Sequence, residues 1–392
     1  MNILQVTPGY WPDIGGVERH VEALVDRLIA RGHEVTIATL EPRGAPRGGE
    51  QHRRAEIIRF PAFGAGDAYR VPLGLSRYLR NMRNRFDIVH VHNYHAPLIP
   101  LVAYGAAQPF VVTTHMNDAP HSRVAQLLHV AYRAVGAAAV RRAAAVVCVT
   151  EAERLRVVER LGVPHDRTQV IPNGFDPALL KGRDNAGERN PRLLLSVGRL
   201  QPYKRVDAII RALAWLDSGY QLMVIGDGPR RNELQALAEE LQVADRVSFV
   251  GRAADGELVD WYRRTGVVVS LSSAEAFGMT VLEGVAAGAQ VVTSDIPVFR
   301  DLAAQFPQQV ITVDAAAPEQ VAQAVRQAAQ RVGNGAADVR AFTWDAVADQ
   351  LLEVYRSVVE PARSARSIER VRKREDRRKA RDARTGAEQG GQ

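Results

Sequence analysis

A Glu-x7-Glu run, Glu275-Ala276-Phe277-Gly278-Met279-Thr280-Val281-Leu282-Glu283, joins the apolar stretch Val267-Val268-Val269-Ser270-Leu271 to a helical pattern that stops before Gly288. Glu275 falls in the strand-to-helix loop and Glu283 inside the helix. The amides of Gly278, Met279 and Thr280 at the helix start lack partners within the helix and can grip an anionic diphosphate. A carboxylate gains nothing from facing phosphate. The two acids therefore address hydroxyls on either side of it, those of a sugar and those of a ribose, which suits a nucleotide sugar. The plainer alternative is one acid favoured by the helix dipole and one solvated acid.

Cations to match lie in Gly198-Arg199-Leu200-Gln201-Pro202-Tyr203-Lys204. Arg199 leaves a strand end, and Lys204 sits at the start of the next helix, where the dipole disfavours a cation. Facing an anion resolves that conflict, so Arg199 and Lys204 can clamp a diphosphate and stabilise its charge as it departs. Two solvated cations are the alternative. Near the N-terminus, Gly15 and Gly16 stand between a first strand and a helix, where paired glycines permit close backbone approach to a ligand. His115 ends the strand Phe110-Val111-Val112-Thr113-Thr114 and is placed to point into a cleft, with Asn117 and Asp118 beside it; a structural histidine is the competing reading. In Val89-His90-Val91-His92-Asn93-Tyr94-His95 the alternation puts His90 and His92 on one face. No third ligand accompanies them at a metal-binding spacing, and no metal site is expected.

These residues need strand ends to hold them. Short apolar runs (Ile3–Thr7, Val35–Ala38, Ile88–Val91, Phe110–Thr113, Val146–Val149) alternate with helical patterns, and Leu193–Val197, Leu222–Ile225, Val267–Leu271 and Gln290–Thr293 repeat the layout. In the first helix Val17, Val21, Leu24, Val25 and Leu28 form one apolar face, and Gly32 ends it. Such alternation means parallel sheets covered on both faces. The expected architecture is α/β, with two doubly wound Rossmann-like domains facing across a cleft that lies at the carboxyl ends of their strands. The expected divisions are an N-terminal domain over 1–180, a polar linker over 181–190, a second domain over 191–343, a helix over 344–360 and a basic tail over 361–392. In that helix Val347, Leu351, Leu352 and Tyr355 share a face.

Composition narrows the partners. The chain has 392 residues, 46% hydrophobic and 24% charged, as a globular protein does. Its 51 basic and 44 acidic residues give +7, but residues 361–392 hold 11 basic against 5 acidic, leaving 40 against 39 in the rest. A nearly neutral body with a basic appendage is a poor nucleic-acid binder; the tail suits anionic lipid head groups or plain solvation. The lone Cys148, in an apolar run, excludes an internal disulfide and reads as a small buried hydrophobe. No spanning run and no signal peptide are visible, so the chain is expected in the cytoplasm, with peripheral attachment to the inner membrane face as an option. Neither Gly-x-Gly-x-x-Gly nor a Gly-Lys-Ser/Thr P-loop is present, which disfavours a nicotinamide dehydrogenase.

Taken together, Gly15-Gly16-Val17-Glu18-Arg19-His20, Ile171-Pro172-Asn173-Gly174-Phe175-Asp176, Gly198-Arg199 with Lys204, Gly226-Asp227-Gly228-Pro229 and the run from Glu275 to Glu283 resemble the retaining family-four glycosyltransferases of the GT-B fold. The resemblance covers roughly residues 1–360. It implies that Arg199 and Lys204 hold a donor diphosphate and that Glu283 takes the ribose hydroxyls. It further implies that Glu275 and His115 contact the donor sugar, with Glu275 stabilising an oxocarbenium-like transition state, and that the Gly15-Gly16 backbone approaches the reacting centre. It implies no metal and no cofactor beyond the co-substrate, and a C-terminal helix that crosses back onto the first domain. The expected acceptor is a glycan, a lipid-linked or a small-molecule hydroxyl. Met116 stands where such enzymes often carry an acid after the histidine, so the resemblance assigns Asp118 no role. A catalytically inactive nucleotide-sugar-binding subunit would keep Arg199, Lys204 and Glu283 but lack Glu275 or His115. A sugar-nucleotide epimerase is the third possibility.

Overall fold

A computed structural model describes residues 1–12, 15–42, 50–52, 54–64, 70–116, 123–181, 189–333 and 337–362. Asn117 and Asp118, most of the linker and the tail from 363 onward lie outside the described residues.

The first sheet takes β1 (Asn2–Thr7), β2 (Glu34–Leu40), β3 (Glu50–His52), β4 (Ala55–Phe60), β7 (Ile88–His92), β8 (Phe110–Thr113), β9 (Ala145–Cys148) and β10 (Thr168–Val170) in the order β10-β9-β8-β7-β1-β2-β4-β3, while β5 (Ala62–Phe63) and β6 (Val71–Pro72) form a separate hairpin. All neighbours in the eight-stranded sheet pair parallel except β3 with β4. The second sheet orders β11 (Asn190–Val197), β12 (Gln221–Ile225), β13 (Val247–Gly251), β14 (Thr265–Ser270), β15 (Gln290–Ser294) and β16 (Val310–Val313) as β13-β12-β11-β14-β15-β16, parallel throughout. Strands such as Ile88–His92 and Gln290–Ser294 are buried at every position, because helices cover both faces.

Helices α1 (Gly16–Ala30), α2 (Leu75–Asn81), α3 (Leu98–Gly105), α4 (Arg123–Val140) and α5 (Glu151–Leu161) belong to the first domain. Helices α6 (Val206–Leu213), α7 (Arg231–Glu240), α8 (Asp255–Arg264), α9 (Met279–Ala287), α10 (Pro297–Gln305) and α11 (Pro318–Gln330) belong to the second. Gly32 closes α1 as expected: it adopts φ 79° and donates to Ile29 O, while His33 N reaches Leu28 O. Gly288 closes α9 with the same pair of bonds, its own N to Val285 O and Ala289 N to Gly284 O. These bonds satisfy carbonyls that the helix ends leave over.

A last helix, α12 (344–362), returns to the first domain. Trp344, Val347, Leu351, Leu352 and Tyr355 join one buried cluster with Ile3, Val21, Leu24 and Val25. Arg31, which caps the C-terminus of α1, fastens it from outside, pairing with Asp345 at 3.1 Å and Asp349 at 2.7 Å.

The linker needs correction at its C-terminal end. Asn190 already belongs to β11, and Arg189 is buried. Its Nη1 donates to Tyr262 O at 2.9 Å and Thr265 O at 3.0 Å, and its Nη2 to Ala287 O. Polar composition marks a linker only where the polar groups face water; here one guanidinium ties the ends of α8 and α9 to the start of β14. Cys148 is buried and free, and burial pushes its thiol pKa up. Among the described residues no helix is long and apolar enough to cross a membrane.

Candidate active site

The loops after β11 and β12 lie backbone on backbone. Gly198 N donates to Ile225 O at 2.9 Å, Leu200 N to Asp227 O at 3.0 Å and Arg230 N to Leu200 O at 3.2 Å. A Cβ on Gly226, which sits at φ 136°, would come within 1.9 Å of Gly198 O, and one on Gly228 within 2.6 Å of Leu200 O. The two glycines let the second loop support the first, which carries Arg199 and Lys204. A turn over Pro202–Lys204 follows, and Arg205 at φ 51° leads into α6.

Lys204 meets Glu275 there. Its Nζ lies 2.5 Å from Glu275 Oε1, and Ser272 Oγ donates to the same oxygen at 2.8 Å. Both charged side chains keep some access to water, 18% for Lys204 and 17% for Glu275. A small recess at the ends of β11 and β14 is lined by Gly198, Leu200, Lys204, Ser270 and Ser272. Arg199, on the same loop, is exposed, and its side chain makes no hydrogen bond or ion pair among the described residues.

The tip of α9 completes this side. Gly278 adopts φ 91°, and a Cβ there would stand 2.7 Å from the Phe299 ring. The first bonds of the helix run from Val281 and Leu282 to Gly278 O, so the amides of Met279 and Thr280 precede its ladder. Thr280 Oγ1 donates to Val197 O at 3.3 Å and ties the tip to the end of β11. Glu283 lies one turn on, its Oε2 accepting from the buried Tyr262 hydroxyl at 2.6 Å. Met279 packs against the core clusters of both domains, and the charge of Arg19 on α1 acts on Tyr262. The helix tip therefore borders the first domain.

On that facing side His115 is buried, at φ 47°, just past β8. Buried Glu153 brackets it, accepting from Thr114 Oγ1 at 2.7 Å, Met116 N at 2.5 Å and Val149 N at 2.6 Å. Gly16 has open space where a side chain would stand, whereas a Cβ on Gly15 would meet the Glu18 carboxylate at 2.2 Å.

The histidines assemble differently from the sequence expectation. His90 and His92 do share a face, with ring centroids 4.1 Å apart. The third imidazole comes from elsewhere: nitrogens of His20, His92 and His115 all lie within 4.8 Å of one another. A one-way hydrogen-bond chain sets the protons of His90 and His92. Gln5 Nε2 donates to Tyr355 OH at 3.0 Å, which leaves that hydroxyl to donate to His90 Nδ1 at 2.6 Å, and His90 Nε2 to donate to Thr113 Oγ1 at 2.7 Å. Gln5 Oε1 in turn accepts from His92 Nε2 at 2.7 Å, leaving a bare lone pair on His92 Nδ1. Three neutral imidazoles of this kind could hold one transition-metal ion. Spacing along β7 gives no hint of this set, because α1, β7 and the end of β8 each supply one member.

Burial lowers His20 to about 4 and His90 to about 3, and holds His92 and His115 well below the usual histidine range. The unfolded chain takes up these protons near pH 6.5, so their contribution to stability is present above that value and is lost as pH falls toward about 4. Each group removes about 1.4 kcal/mol per pH unit in that window. Glu153, raised by burial, works in the opposite sense. The melting temperature is expected to drop between pH 7 and pH 5; an unchanged value would contradict neutral burial of these rings.

Two Rossmann-like α/β domains, with a cation–acid pair and a helix tip at the strand ends, have the architecture of the GT-B fold. Residues 14–179 match the family described as Glycosyltransferase Family 4, and residues 182–331 match Glycosyl transferases group 1. A D-inositol 3-phosphate glycosyltransferase of Xylanimonas cellulosilytica is 30% identical over 88% of this chain and 92% of its own. A glycogen synthase of Mycobacterium tuberculosis is 31% identical over 76% of this chain and 78% of its own. The crystal structure of HepE from Anabaena in complex with UDP superposes with a TM-score of 0.70 at 18% identity, covering 91% of this chain and 100% of that one. The chain belongs to the family-four glycosyltransferases.

The structure brings Lys204 and Glu275 together and ties Thr280 to the end of β11, with Glu283 one turn further along α9. Ser272, Tyr262, Glu153 and His20 escape the sequence reading. Ser272 meets Glu275 3 positions away, Tyr262 meets Glu283 21 away, Glu153 reaches Met116 37 away and His20 packs on His115 95 away, and only Ser272 sits close enough to Glu275 for local inspection to find it.

Proposed function

We propose that this glycosyltransferase moves a hexose-type sugar from a nucleoside-diphosphate donor to an acceptor hydroxyl with retention of anomeric configuration. The observation that carries the reading is the Lys204–Glu275 pair beside the α9 tip. Before the donor arrives, the two charges satisfy one another. The donor offers the lysine a phosphate and the glutamate sugar hydroxyls. Arg199 and Lys204, with the Met279 and Thr280 amides, then stabilise the diphosphate as it departs. Glu283 takes the ribose hydroxyls, and His115 contacts the donor sugar from the opposite domain.

The bond from C1 to the phosphate oxygen breaks, and its electron pair stays on that oxygen. The acceptor oxygen bonds C1 on the same face, and its proton passes to the departing phosphate. Positive charge on the ring in between is stabilised by the Glu275 carboxylate. No step is routed through a metal or a further cofactor. The relatives' names, an inositol phosphate glycosyltransferase and a glycogen synthase, support a glycan, lipid-linked or small-molecule acceptor.

A thermal-shift panel of uridine, guanosine and adenosine diphosphate sugars tests the donor class. At least one is expected to raise the melting temperature, and the same donor to release its nucleotide when acceptor is added. The absence of any shift across the panel contradicts the reading. The basic tail supports a cytoplasmic enzyme with peripheral attachment to anionic lipid. Sedimentation with anionic vesicles is expected to weaken on deleting 363–392 and on raising salt; salt-independent binding contradicts it.

A further inference from the structure

We infer that Tyr262 is a positioning residue for donor recognition, setting the Glu283 carboxylate to discriminate ribose from deoxyribose. The inference rests on the proposed role of Glu283. The Tyr262 hydroxyl donates to Glu283 Oε2 at 2.6 Å, and the tyrosine is 1% exposed. The ring belongs to an apolar cluster with Val281, Leu282, Val285 and Val268, where phenylalanine would pack as well, and the Thr280 side chain is the phenol's other hydrogen-bond partner.

The backbone that carries the phenol is itself anchored. Arg189 Nη1 holds the Tyr262 carbonyl at 2.9 Å and the Thr265 carbonyl at 3.0 Å. The same guanidinium reaches Ala287 O at the end of α9, so Tyr262 on α8 and Glu283 on α9 are referred to one buried group. Burial and the adjacent carboxylate hold the phenol well above its usual pKa, and it stays a donor at neutral pH. A glutamate side chain has three rotatable torsions. The hydrogen bond removes the freedom of the last, so that the carboxylate faces the ribose before the nucleotide binds. Pre-organisation of this kind shows in affinity and in selectivity among hydroxyl patterns.

The test measures binding of the nucleoside diphosphate (UDP, GDP or ADP) that gives the largest thermal shift, together with its 2′-deoxy and 3′-deoxy forms. The protein is wild type, Tyr262→Phe, Glu283→Gln and the double variant. Wild type is expected to bind the ribonucleotide about tenfold tighter than at least one deoxy form. Tyr262→Phe is expected to narrow that ratio to about threefold or less while binding the deoxy form as wild type does. Its donor KM rises with kcat unchanged, and the double variant is no worse than Glu283→Gln. If Tyr262→Phe keeps the wild-type ratio, the inference is overturned, whatever happens to its stability. If Glu283→Gln also keeps it, the ribose role of Glu283 falls first and the inference with it.

Discussion

Lys204→Ala is expected to lower sugar transfer about a hundred- to a thousandfold while the protein remains folded, with most of the loss in kcat. The ammonium has no packing role that would unfold the domain. It stands at the exit of a short turn, 18% exposed, and among the described residues its close ionic partner is Glu275. Its removal takes away a positive charge where the departing diphosphate gains a negative one. It also leaves the Glu275 carboxylate, 17% exposed, with Ser272 as its side-chain partner among the described residues. Glu275→Gln is expected to cost as much by the complementary route, since an amide keeps the hydrogen bonds to sugar hydroxyls but lacks the charge that faces an oxocarbenium-like ring. Initial rates together with circular dichroism check both variants. Turnover near wild type in either one removes that residue from the proposed chemistry.

Gly226→Ala is expected to destabilise the second domain by about 2–5 kcal/mol and to abolish donor binding in whatever fraction stays folded. The added Cβ would stand 1.9 Å from Gly198 O and 2.8 Å from Gly198 C. Those are backbone atoms, and they cannot swing aside as the end of a side chain does. The residue also sits at φ 136°, a conformation that alanine avoids. Relief requires the Gly198–Lys204 loop to lift off the β12 loop, which displaces Arg199 and Lys204 together. Gly256→Ala in α8 is the matched control: nothing lies within 4 Å of its Cβ, and alanine is expected to be neutral or to stabilise by up to about 1 kcal/mol. Urea titration of the two variants checks the contrast, and equal midpoints would show that the stacked loops are not tightly joined.

What was legible in the sequence is what is local in the chain. Alternating apolar runs and amphipathic helices gave both sheets. The Glu275–Glu283 run marked the α9 tip because strand end, glycine and helix start are contiguous there. Lys204 stood out because a cation at a helix start conflicts with the dipole. The return of α12 was visible only as an apolar face and through the family resemblance. Arg189 and Glu153 were not legible for a common reason. Each is an ionisable side chain whose burial is sustained by hydrogen bonds, from Arg189 to three backbone carbonyls and to Glu153 from the Thr114 hydroxyl and the Met116 and Val149 amides, and composition alone reads it as solvated. The meeting of His20, His92 and His115 is likewise a product of the sheet order β8-β7-β1 with α1 packed upon it. Strand spacing offers no route to it.

Calorimetric titration of uridine, guanosine and adenosine diphosphate sugars into wild type, Arg199→Ala and Lys204→Ala tests most directly whether a diphosphate is seated between these cations and the α9 tip. Saturable binding of at least one sugar nucleotide to wild type is predicted, weakened tenfold or more in each variant. Equal affinity in all three proteins, or no binding to any, would contradict the seat and with it the role given to Glu275.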